Sequence, residues 1–152
     1  MKKRISIVMT AVIISVMMLA GCSADKSVTY NVDTGDKVKI TVDAKAGYNI
    51  STELPFTVTK EDTTILNGSF IYAEYYDTYR EVVDAEAGAV LLDEGTKDGN
   101  DYFFYSFEGN SGTEYDYIIL VNNSQTAIAM ASLVGEKEAS EAFGAMTISL
   151  GE

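Results

Sequence analysis

The chain has 152 residues, with 23 Asp and Glu against 11 Lys and Arg, one Cys, no Trp and no His. Without His there is no Ser-His-Asp triad, no imidazole base and no HExxH zinc site, and a single Cys excludes a disulfide within the chain. A formal charge of −12 excludes nucleic acid as a partner, because that binding rests on Lys and Arg neutralising phosphates.

Met1 to Arg4 carries three cations, and Ile5 to Ala20 then runs sixteen residues without a charge. A cationic start, an apolar run and small residues after it make a secretory signal peptide. A membrane-spanning helix needs about 20 apolar residues, more than this stretch with its Thr10 and Ser15 provides. Leu19-Ala20-Gly21-Cys22 resembles the lipobox of bacterial lipoproteins. That resemblance implies cleavage before Cys22 and a diacylglyceryl group on its sulfur, leaving the protein on the outer face of the cytoplasmic membrane. Two acyl chains hold stably where one holds marginally, at roughly 0.8 kcal/mol per buried CH₂.

Cleavage takes Lys2, Lys3 and Arg4 but none of the acids, so the mature 131 residues carry −15. Residues 22–37 read as the lipidated cysteine and a polar, flexible tether, and 38–152 as a single domain. Val38 to Ala44 alternates as a half-buried strand does, and Pro55 to Lys60 continues strand chemistry. Asn67-Gly68 between two β-prone runs predicts a type I′ hairpin over 63–75. A capping-box spacing from Thr78 to Glu81 and a stop at Gly88 predict a helix over 78–87, with Tyr79, Val82 and Val83 on one face.

Strands are expected at 89–94, 101–108, 113–121 and 126–134, joined by a loop at 95–100 and turns at Gly109 to Gly112 and Asn122 to Gln125. In the third of these, alternation puts Tyr115, Tyr117, Ile119 and Val121 on one face, and Glu114, Asp116, Ile118 and Leu120 on the other. Ala139, Ala142, Phe143 and Met146 recur at helical spacing behind the acidic Glu136-Lys137-Glu138, so the last element is expected to be a helix. The order predicts an α+β fold, a largely antiparallel sheet of six or seven strands with two short helices packed on it.

The strand at 38–44, the helix after the Asn-Gly hairpin, the Tyr-rich meander at 101–133 and the closing EAFGAMTISL segment together resemble the PsbP-like fold. That resemblance covers residues 38–150 and implies a binding or assembly role; it brings no motif from which site residues can be assigned.

Carboxylates are the chemistry that remains. Glu108, Glu114 and Asp116 flank the Gly109–Gly112 turn, and two acids at suitable separation could serve a hydrolase. A solvated hairpin end is the plainer reading. The acidic stretch Asp93 to Asp101 misses the EF-hand spacing and has Lys97 in its middle, so no metal site is expected there. Tyr72, Tyr75, Tyr76, Tyr102, Tyr105, Tyr115 and Tyr117 form either a partner-binding surface or part of the core, since tyrosine suits both. The expectation is a non-catalytic binding or assembly module without a cofactor, anchored through Cys22, with a protein or small ligand as partner. Its alternatives are a small-ligand receptor with a cavity under the C-terminal helix, or a carboxylate-dependent hydrolase.

Overall fold

Strand chemistry dominates the chain from residue 25 onward. The structure is a computed structural model describing residues 25–152; the signal peptide, the lipobox and Cys22 lie outside the described residues. In order, the elements are β1 (Asp25–Asn31), β2 (Lys37–Asp43), β3 (Tyr48–Ile50), β4 (Phe56–Lys60), β5 (Thr63–Tyr72), α1 (Tyr75–Ala85), β6 (Ala89–Lys97), β7 (Asn100–Gly109), β8 (Gly112–Leu120), β9 (Thr126–Ser132), α2 (Glu136–Gly144) and β10 (Met146–Leu150). The fold is α+β, as expected, with every strand pair antiparallel. The strands form two sheets, however, and not one: a small sheet ordered β1-β2-β10 and a large one ordered β3-β4-β5-β9-β8-β7-β6.

The main core lies between the inner faces of the two sheets, closed by α2. Tyr30 from the small sheet meets Phe56 and Phe70 of the large one at 5.6 and 5.3 Å between ring centroids. Under α2, Phe143 stacks on Tyr117 at 4.2 Å, and Tyr117 stacks on Phe104 at 4.1 Å. Asn100, almost wholly buried, links the sheets: its Nδ2 donates to the Ile148 carbonyl at 2.8 Å, and its Oδ1 accepts from the Asn122 N–H at 2.9 Å. Asp36 joins the β1–β2 turn to the β8–β9 turn by accepting from the Thr126 hydroxyl at 2.7 Å and the Gln125 N–H at 2.8 Å.

The bounds of several elements also differ from those expected, the helix placed at 78–87 among them, which runs from Tyr75 to Ala85. The tether assigned to 22–37 is a strand from Asp25 to Asn31, paired with β2 so that Val28 faces Ile40 and Tyr30 faces Val38. Val28 and Tyr30 are both buried, so this segment is part of the domain. Its two inward residues make too short an alternation to stand out among polar neighbours.

The hairpin turn is not at Asn67-Gly68. β5 runs straight through both, and the turn lies at Glu61-Asp62, where φ of 47° and 68° gives the left-handed pair that a two-residue turn requires. Gly68 serves instead to let the Phe56 ring lie across the strand: a Cβ there would sit 2.1 Å from Phe56 Cζ. At the other end of the chain, the helical periodicity through Met146 breaks at Gly144, and Met146 opens β10, where it is buried as a strand residue. In place of the loop expected at 95–100, strands continue to Lys97 and from Asn100, and only Asp98-Gly99 turn, both at positive φ.

α1 owes its position to connectivity. β5 and β6 are separated by β9, β8 and β7, a gap of about 19 Å at ~4.8 Å per strand. Eleven helical residues reach ~16 Å, so the helix crosses the outer face of the large sheet. Val83 seals it against Phe103, Tyr105 and Ile118, a second and smaller core.

Candidate functional site

Beside that small core the helix and the sheet do not close on each other, and a groove of about 710 Å³ runs between them. From α1 it receives Tyr79, Val82 and Val83, spaced i, i+3, i+4 as one face of a helix must be, and, from just past the end of α1, Glu86. From the sheet it receives the outward residues of β5, β7, β8 and β9, among them Ile71, Tyr105, Phe107 and Ile118. The lining is mostly apolar and includes no Lys or Arg among the described residues. Tyr79, Val82 and Phe107 expose 38 %, 53 % and 36 % of their surface, so the groove presents apolar area to solvent instead of hiding it.

Asp116 is the polar floor. It stands on β8 directly opposite Tyr105 of β7 and Ala131 of β9, and is 9 % exposed. Its Oδ1 is shut from solvent and has no hydrogen-bond partner among the described residues. Burial first, and then the charge of Glu114 two residues away, push the Asp116 carboxyl up to about 7. The Tyr105 hydroxyl facing it favours the ionised form but does not outweigh them. Burial, followed by Asp116, also raises the Tyr105 phenol. An unsatisfied buried carboxyl oxygen costs stability, and a concave setting beside it is where a ligand would satisfy it.

Of the three acids named from the sequence, the structure brings together two. Glu114 and Asp116 share the groove face of β8, as alternation predicts. Glu108 stands apart, accepting from the Thr113 hydroxyl at 2.8 Å across the hairpin. An acid pair with one carboxyl raised is part of what carboxylate hydrolysis asks for, but the predominantly apolar walls are those of a binding site. Glu86 and the Val82–Val83 pair complete the groove, and only the crossing of α1 brings them to Asp116.

The tyrosines do not form one surface. Tyr117 is buried and Tyr102 and Tyr115 are half-buried on the inner face of the large sheet, packed against the main core. Tyr105 is buried on the outer face, and Tyr76 packs on Phe103 there at 5.2 Å. Tyr72 and Tyr75 are exposed, at 48 % and 46 %. Strand alternation and the crossing helix divide the set between two sheet faces, so the seven tyrosines do not form one continuous patch. Under the C-terminal helix, the place expected for a cavity, Ala139, Ala142 and Phe143 of α2 are buried in the main core, and the groove described above lies under α1 instead.

Asp93, Glu94, Asp98 and Asp101 are drawn into strand and turn contacts with Tyr102, Arg80, Lys97 and Thr96. Among the described residues no three acids gather closely enough to hold a metal ion, and no helix is long and apolar enough to cross a membrane. No protein-family model matches the chain, and no curated protein matches it.

Proposed function

We propose that this protein is an extracytoplasmic lipoprotein, anchored through Cys22, that binds a small ligand in the groove between α1 and the large sheet and carries out no chemistry on it. The carrying observation is the groove itself, within the ~300–1,000 Å³ range of small-molecule sites, apolar in its walls and with one unpartnered carboxyl oxygen at its floor. The anchor is supported by the order of charge, apolar run and lipobox in residues 1–22. The PsbP-like element order of the strand at 38–44, the helix after β5 and the meander from residue 101 supports binding over catalysis. The start of β1 at Asp25 leaves a short reach, so the domain stands close to the lipid surface.

Two measurements test this. A Cys22→Ala protein should leave the membrane fraction and lose incorporation of labelled palmitate; retention of both overturns the anchor. Native mass spectrometry of the membrane-extracted protein should show a bound small-molecule mass, absent from Ala131→Phe, whose ring would fill the groove opposite Asp116. Equal spectra from the two proteins overturn the binding site.

A further inference from the structure

Every charged side chain lining the groove carries the same sign: Glu86 just past the end of α1, and Glu114 and Asp116 from β8. Arg80, the nearest cation on α1, is held elsewhere, paired with Asp84 and Glu94 and lying over the Phe103 ring at 5.8 Å. A neutral apolar ligand would leave Asp116 Oδ1 unsatisfied and deepen its burial. An anionic ligand would meet three acids. A ligand with one N–H-bearing cation on an apolar body meets all the constraints, donating to Oδ1 while its body covers Val82, Ile71 and Phe107.

We propose that the groove is a site for organic ammonium compounds, with Asp116 as the counter-ion at its floor and the apolar walls taking the rest of the molecule. The inference rests on the groove being a ligand site and adds the class of ligand. Asp116 is suited to the task because it is the acid most withdrawn from water: a charge-assisted hydrogen bond made there is not shared with solvent. Glu114 and Glu86, nearer the open side, raise the local concentration of cations. The titratable groups lining the groove with Asp116 are Glu114 on its own strand, Tyr105 from β7, Tyr79 from α1 and Glu86 just past the end of α1, while β9 offers the neutral Ala131. None is a cation, so an incoming ammonium has no internal competitor among them. Because burial raises the Asp116 carboxyl to about 7, pairing it with a cation near neutral pH expels a proton.

Titration calorimetry with octylamine, octanol and octanoate tests the assignment, since the three share a chain and differ in head group. The ammonium should bind about 10–100-fold more tightly than the alcohol, the range of a hydrogen bond to a buried charge, and octanoate most weakly. Buffers of different ionisation enthalpy should show a proton released with the ammonium and none with the alcohol. Asp116→Asn should erase both the preference and the proton release; Glu114→Gln, which removes the second cause of the raised Asp116 carboxyl, should reduce the proton release without abolishing the preference. Octylamine and octanol binding alike, with Asp116→Asn indifferent and Ala131→Phe abolishing both, overturns the ammonium assignment and leaves the groove a ligand site. Binding of none of the three, or binding unchanged in Ala131→Phe, overturns the groove as a site and the assignment with it.

Discussion

Asp116 and Asp36 show how far one residue type can be driven in opposite directions. Hydrogen bonding to the Thr126 hydroxyl, first among its causes, lowers the Asp36 carboxyl from its ordinary value. Its contribution is therefore present above the unfolded-state value of 3.8 and is lost as pH falls through the folded-state value. Asp116 is raised to about 7 from 3.8, so between those values the folded protein holds more protons than the unfolded chain, and stability falls as pH rises across that window. Asp116→Asn removes this slope. Urea titrations should show the variant gaining on the wild type by about 1–3 kcal/mol between roughly pH 5 and roughly pH 8. A constant difference across that range would show that the carboxyl does not titrate there.

At the level of elements, the informative case is β5. Asn67-Gly68 has the composition of a hairpin turn, yet the chain turns six residues earlier at Glu61-Asp62, because the turn chemistry competes with packing. Phe56 is fully buried and touches Tyr30 and Phe70, and its ring needs a strand position without a Cβ. Burying it contributes roughly 1.5–3 kcal/mol, more than a favourable turn dipeptide provides, and the short hairpin follows the register that seats the ring. Gly68→Ala should then destabilise the fold by about 1–3 kcal/mol through overpacking. Adding Phe56→Leu to that variant should restore part of the loss, giving a coupling in a double-mutant cycle. Strict additivity of the two changes would mean that the ring and the glycine are not coupled.

For the whole molecule, the domain begins thirteen residues earlier than charge and polarity suggest. β1 forms one edge of the small sheet and contributes Val28 and Tyr30 to the main core; the Tyr30 hydroxyl also donates to the Ser51 carbonyl. A protein beginning at Val38 should lose both buried side chains, at roughly 1.5–3 kcal/mol each, and should expose the hydrogen-bonding edge of β2. Against a total of about 5–15 kcal/mol, it should melt far below a protein beginning at Asp25 or fail to remain soluble. Equal melting temperatures would return residues 25–31 to the role of a tether. The groove is also a property of the whole: three strands lie between β5 and β6, and the helix that must join them roofs the outer face.

What the sequence by itself determined is what depends on near neighbours. The α+β class, the helical face of Tyr79, Val82 and Val83, the strand at 113–121 and the division of Glu114 and Asp116 from Tyr115 and Tyr117 follow from periods of 3.6 and 2, which the chain carries locally. Tertiary structure alone decided which residues separated in the chain share a space. It made a strand of 25–31 because β2 offered an unpaired edge, turned 146–150 into β10 on the other edge of β2, divided the tyrosines between two sheet faces, and laid α1 across Asp116. Edges, crossings and faces exist only between elements, so no local pattern encodes them. The sequence places Asp116 on its strand face, but only burial beneath α1 gives it an unpartnered oxygen and a raised carboxyl.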